Sequence, residues 1–90
     1  MKVHPKRKAL EQAIEDRGLK AVFLDGFDNC IIGYTYLMDG WVSICYDTEK
    51  ILQTLQKQGM YRYEAQEYFD FNIEGAKFPE GNPIFVETLS

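Results

Sequence analysis

Any chemistry in this chain of 90 residues has to come from a short roster: His4, Cys30, Cys45, the cluster Asp25-Gly26-Phe27-Asp28-Asn29, and carboxylates spread through the second half. Nucleophilic catalysis needs a base beside a Ser or Cys, and the single histidine, His4, sits at a terminus, where chains fray. No spacing brings two carboxylates together as acid and base. Two cysteines and one terminal histidine do not close a zinc site. Asp25, Asp28 and Asn29 invite a calcium reading, but the alternating ligands and distal Glu of a calcium loop are missing. These carboxylates are expected to act as turn residues that bond local backbone. The roster points away from an enzyme and implies no catalytic residue, no metal and no cofactor.

The cysteines are expected to be free. If Asp39-Gly40 forms a two-residue hairpin turn, Met38 faces Trp41, Tyr36 faces Ser43 and Tyr34 faces Cys45. Cys30 lies four residues before Tyr34, so at about 3.3 Å per residue the pair exceeds the roughly 7 Å reach of a disulfide. Reduced thiols suit a cytoplasmic compartment.

Six Phe, six Tyr and one Trp supply a core for a single domain. Each ring buries about 150–250 Å², and a chain of this size hides roughly 60–65% of its unfolded surface. The longest uncharged run, residues 29–38, falls far short of the roughly 18–20 residues of a membrane span. The polar, basic N-terminus lacks the apolar stretch of a signal peptide. Net charge is −4 but uneven: residues 1–20 carry six basic and three acidic side chains, while residues 21–90 carry four and eleven. An acidic body disfavours nucleic acid, whose phosphates need a basic stripe. It suits a basic protein partner, although solubility alone also explains it.

The elements that would position these residues form an α+β fold, a small antiparallel hairpin or sheet packed against two or three helices. Residues 5–17 read as a helix, with Pro5 at its first position, Ala9, Leu10, Ala13 and Ile14 at helical spacing and Gly18 as its left-handed cap. Lys6, Arg7 and Lys8 at its positive end read as a solvated basic terminus. Residues 19–24 form a brief strand or a connection. Residues 30–37 and 41–46 are the clearest strands, rich in β-branched and aromatic residues. One face would hold Ile32, Tyr34, Tyr36, Ser43 and Cys45. The other, more aliphatic, would hold Ile31, Gly33, Thr35, Leu37, Val42, Ile44 and Tyr46 and is assigned to the core. Asp47 or Thr48 caps a helix to residue 58, with Ile51, Leu52 and Leu55 inward and Gly59 closing it. A third helix starts near Tyr61 or Arg62 and buries Ala65, Tyr68, Phe69, Asn72 and Ile73. Asn72, a polar member of that stripe, is expected to bond loop backbone near Gly75 or the hairpin. Pro79 and Gly81 mark a turn, and residues 84–86 can add an edge strand.

Several blocks carry a resemblance. Gly26-Phe27-Asp28-Asn29-Cys30-Ile31-Ile32-Gly33, then Tyr46-Asp47, Gly59-Met60, Glu64-Ala65, Glu67-Tyr68-Phe69, Phe71-Asn72-Ile73, Gly75-Ala76 and Pro83-Ile84-Phe85 together resemble a group of small proteins of bacteriophages and mobile elements. In that group a Thr or Ser commonly follows Gly-Met and caps the third helix. This chain has Tyr61 and Arg62 there, which loses a cap worth about 1 kcal/mol while keeping Glu64. The resemblance implies a virus-borne accessory protein in the host cytoplasm and supplies no activity. The combined expectation is a protein that binds and modulates or inhibits a host protein, such as a defence nuclease, through an acidic and aromatic surface. Candidate binding residues are Asp25, Asp28, Asn29, Tyr34, Tyr36, Trp41, Tyr61 and Tyr63. Two alternatives are a small-molecule site lined by Tyr34, Tyr36, Trp41 and the 25–29 loop, and a homodimer joined through its hairpin face.

Overall fold

A computed structural model describes residues 4–75 and 81–89. Helix α1 (Pro5–Asp16) begins at Pro5, whose fixed φ suits a first turn, and His4 Nδ1 accepts the Lys6 amide at 3.2 Å. It ends where Gly18 takes φ +68°, and the Leu19 amide returns to the Ile14 carbonyl at 3.0 Å. Leu10 and Ile14 face the core. Residues 19–24 form a connection rather than a strand, and the β-bridge they make among the described residues joins Lys20 to Trp41.

The hairpin joins β1 (Ile31–Tyr36) to β2 (Val42–Asp47). Asp39 and Gly40 at its tip have φ +62° and +79°, the positive values that the Asp-Gly signal implies. The register nevertheless differs by one residue from the expected one: Tyr36 faces Val42, Thr35 faces Ser43 and Tyr34 faces Ile44. The Leu37 amide donates to the Trp41 carbonyl at 2.8 Å while the Trp41 amide donates to Met38 at 3.4 Å. Leu37 and Met38 therefore both oppose Trp41, and the extra residue bulges the strand. A slip of one residue exchanges the faces. Tyr34 and Tyr36 accordingly lie on the side of Val42 and Ile44, with Tyr34 packed on the core, whereas Thr35 and Leu37 are exposed. A second irregularity between Ile31 and Gly33 restores Ile31 to a position opposite Tyr46, where it is buried.

Strand β3 (Ile84–Val86) pairs parallel with β2, making a three-stranded mixed sheet in the order β1-β2-β3. The central strand is buried along its whole length, Ser43 and Cys45 included. The expected turn at Pro79 and Gly81 and the Ala76 position lie partly or wholly outside the described residues.

Helix α2 (Thr48–Lys57) is capped by Asp47, which accepts the Lys50 amide at 3.3 Å, and buries Ile51, Leu52 and Leu55. Gly59 turns the chain at φ +107°, and the Met60 amide closes on the Leu55 carbonyl. Helix α3 (Arg62–Tyr68) lacks a side-chain hydroxyl cap, but Glu64 reaches back to the Tyr61 amide at 2.9 Å. It continues as a π-helical segment (Phe69–Glu74). Ala65, Phe69 and Ile73 are buried as expected, whereas Tyr68 and Asn72 are exposed. Four α-helical residues overshoot a full turn by about 40°. A π turn closes its hydrogen bonds one residue later and rotates less per residue. The two drifts cancel, so the i, i+4, i+8 row stays inward and Tyr68 and Asn72 swing out. Solvent is available to the Asn72 amide, which removes the need for the partner expected at Gly75 or the hairpin.

The interior is closed by rings. Phe69 meets Phe85 edge-on at 5.1 Å, and Tyr46 lies 6.2 Å from Phe85. The Tyr46 hydroxyl accepts the Leu24 amide at 2.8 Å, which ties the 19–24 connection to the central strand. Among the described residues no helix is long and apolar enough to cross a membrane.

Candidate functional site

The Asp25–Asn29 loop is occupied with structural work. Arg7 Nη1 lies 3.5 Å from Asp25 and 3.6 Å from Asp28, its Nε lies 3.4 Å from Glu11, and the guanidinium sits 4.8 Å over the Phe23 ring. Burial works against the Arg7 charge, but Asp28, Glu11 and Asp25 together outweigh it, so its pKa is raised. Asn29 donates to Thr54 Oγ1 at 3.3 Å. Lys6 Nζ reaches the Ile31 carbonyl at 3.3 Å. Two expectations change as a result: Lys6 and Arg7 are not simply solvated, and Asp25 and Asp28 lie against a cation on α1 rather than bonding local backbone. The cause is tertiary, because α1 docks its first turn against this loop. Among the described residues no three His, Cys, Asp or Glu side chains are grouped to hold a metal ion.

Tyr34, Tyr36 and Trp41 are gathered at the hairpin. Tyr34 meets Tyr36 edge-on at 5.7 Å, and Arg17 covers the Tyr36 ring at 5.8 Å. Trp41 is half-buried, with Lys20 Nζ 5.8 Å from its ring and Gly81 against it. The three described cavities are lined by other residues.

Cys30 and Cys45 are free and buried, and burial pushes both thiols above their ordinary pKa. A buried neutral thiol is a poor nucleophile.

The least covered rings lie on α3 and the π-helical segment. Tyr61 and Tyr63 stack at 6.0 Å with planes 6° apart and are 71% and 67% exposed. Phe71 is 79% exposed, and Tyr68 is also uncovered. Glu64, Glu67, Asp70 and Glu74 stand among these rings, all exposed. Arg62, the basic residue of this stretch, is held by Glu49 through two bonds of 2.7 Å. That hydrogen-bonded pair lowers the Glu49 pKa. With Arg62 engaged, the ring-bearing surface is acidic. A shallow cavity of about 340 Å³ between Met60, Glu64, Glu67, Tyr68, Phe71 and Asn72 indents it. Tyr61 and Tyr63 are nominated by sequence reasoning. Tyr68 and Phe71 are not, because ordinary helical periodicity turns Tyr68 inward and gives no sign of the π register.

No protein-family model matches this chain, and no curated protein or solved structure shows significant similarity to it.

Proposed function

We propose that this chain is a non-enzymatic recognition protein that binds a basic surface of another protein through α3 and its π-helical extension. The reading accords with a phage-type accessory protein that modulates or inhibits a host protein in the host cytoplasm. The observation that carries it is the cluster of Tyr61, Tyr63, Tyr68 and Phe71, four uncovered rings rimmed by four carboxylates. Exposed apolar patches with a polar rim mark interaction sites, and aromatic residues dominate the energetics of such sites. The Tyr61–Tyr63 stack is already ordered, which lowers the entropy lost on binding. The carboxylates fix the sign of the partner and speed encounter with it. At seven net charges over residues 21–90 the charge density is modest, so ordinary surface recognition fits better than imitation of nucleic acid.

The test immobilises the wild type and a Tyr63→Ser, Phe71→Ser double variant and challenges both with bacterial lysate at low and physiological salt. The expected result is a host protein retained by the wild type and released from the variant. Retention of nothing, or equal retention by both, refutes the reading. One observation favours a second reading, a homodimer. β1 is an edge strand with Ile32, Leu37 and Met38 exposed on or beside it, a ready template for pairing. Light scattering on the pure protein separates the two.

A further inference from the structure

We infer that the groove along α3 and its π-helical extension, between Met60, Glu64, Glu67, Tyr68, Phe71 and Asn72, seats an arginine side chain of a protein partner. This inference rests on the recognition surface proposed above and names the residue that surface takes as its anchor. The groove has a volume of about 340 Å³, at the small end of the range for ligand sites and enough for one long side chain. Positions 64, 67, 68, 71 and 72 follow the i, i+3, i+4 spacing that lines one side of a helix, and Met60 joins them from the turn before it.

Two independent features of the groove are unfavourable in the free protein, and one occupant relieves both. The first is charge. Residues 63–75 hold four acidic side chains and no basic one, and Glu64 and Glu67 stand three apart on α3, a like-charge spacing that destabilises a helix. Arg62 does not offset them, because Glu49 holds it through two bonds of 2.7 Å. Glu64 gives one carboxylate oxygen to the Tyr61 amide at 2.9 Å and keeps the other. Glu67 has no ion pair or side-chain hydrogen bond among the described residues. The second feature is exposed hydrocarbon: Phe71 is 79% exposed and Tyr68 42%, which leaves ring surface in water. An arginine answers both. Its methylene stem covers apolar surface, its guanidinium lies flat on a ring face, and its edge still reaches a carboxylate with paired N–H donors. The Asn72 carboxamide, exposed and without a side-chain partner among the described residues, accepts a further N–H. Lysine fits less well, because an ammonium is a compact, strongly hydrated charge that cannot stack while it bonds. The carboxylates repel an anion, and an apolar side chain would leave Glu67 unpaired beside it.

The test titrates the full chain with short glycine-serine peptides that differ at one central residue, arginine, lysine or citrulline, and follows NMR shifts. The arginine peptide is expected to saturate and to move the amides of Glu67, Tyr68 and Phe71 and the Asn72 carboxamide. The lysine peptide should bind several-fold more weakly, and citrulline, which keeps the shape without the charge, should not saturate. Glu67→Gln should weaken the arginine peptide about tenfold, the loss of one charge-assisted hydrogen bond. The same substitution removes a like-charge contact, so its melting temperature should match or exceed that of the wild type, which separates lost binding from lost folding. Phe71→Leu, which keeps apolar bulk and removes the ring face, should weaken the arginine peptide and narrow its lead over lysine. Failure of the arginine peptide to saturate, equal binding of lysine or citrulline, wild-type binding by Glu67→Gln, or shifts that lie away from the groove overturns the assignment. In the lysate experiment, Glu67→Gln retaining the host protein as the wild type does, while the Tyr63→Ser, Phe71→Ser variant releases it, sinks the arginine anchor and keeps the surface. Retention of nothing by the wild type sinks the surface itself.

Discussion

Tyr46→Phe isolates one bond on which the packing of the connection against the sheet depends. Tyr46 is fully buried, faces Ile31 across the hairpin and lies beside Phe85 of β3. Its hydroxyl accepts the Leu24 amide at 2.8 Å. Phe keeps the ring, so no cavity opens and the cost is that of leaving the Leu24 N–H without its partner, about 1–3 kcal/mol. Leu24 is half-buried and water can reach part of the way, which places the cost in the lower half of that range. In a domain of this size the melting temperature should fall by about 5–15 °C. A pH series adds a signature that no packing defect imitates. Burial raises the Tyr46 phenol, partly offset by the Leu24 amide bond. Because the folded value is the higher one, the stability it supports is fully present below the unfolded phenol's pKa of about 10 and is lost as pH rises through the folded value. The variant has no phenol to lose, so the gap between the two proteins narrows in alkali. Cys30 and Cys45, raised by burial as well, titrate equally in both proteins and cancel. Chemical denaturation at several pH values measures the gap. Equal stability at neutral pH, or a gap that widens in alkali, refutes the reasoning.

Two further outcomes separate the inner and outer rows of the π-helical segment and test the seat of the indole. Phe69→Ala should cost about 3–5 kcal/mol, whereas Phe71→Ala should stay within about 0.5 kcal/mol, both read by urea denaturation; similar costs for the two would contradict the π register. Gly81→Ala should destabilise, because φ is +70° and the new Cβ would lie 2.8 Å from Trp41 Cε3. The backbone term alone is roughly 1–2 kcal/mol, and displacement of the indole should shift tryptophan fluorescence to the red; an unchanged melting curve and spectrum would refute that packing.

The proposed recognition surface and the packed core come from the same helix. Ala65, Phe69 and Ile73 hold α3 and its π extension to the interior, which leaves the opposite side free to carry rings. A ring such as Phe71 contributes little to folding where it stands, and that is the physical ground for assigning it a role outside the fold.

Much of this architecture is local and therefore legible in the amino-acid order. Pro5 and Gly18 bound α1, Asp47 and Gly59 bound α2, and the spacing of Ile51, Leu52 and Leu55 names its buried side, because caps and periodicity involve residues within one or two turns of each other. The hairpin tip at Asp39-Gly40 is legible for the same reason. Its register is not. Lys20, far along the chain, donates to the Gly40 carbonyl and accepts the Val42 amide, and the opposite edge of the ribbon places both Leu37 and Met38 against Trp41. That long-range pairing exchanged the faces of Tyr34 and Tyr36. Likewise, the π turn that brought Tyr68 and Asn72 outward and the docking of Arg7 on Asp25 and Asp28 both depend on contacts between distant segments. Short-range propensities carry no record of such contacts, so tertiary packing decided the outward placement of Tyr68 and Asn72 and the pairing of Asp25 and Asp28 with Arg7.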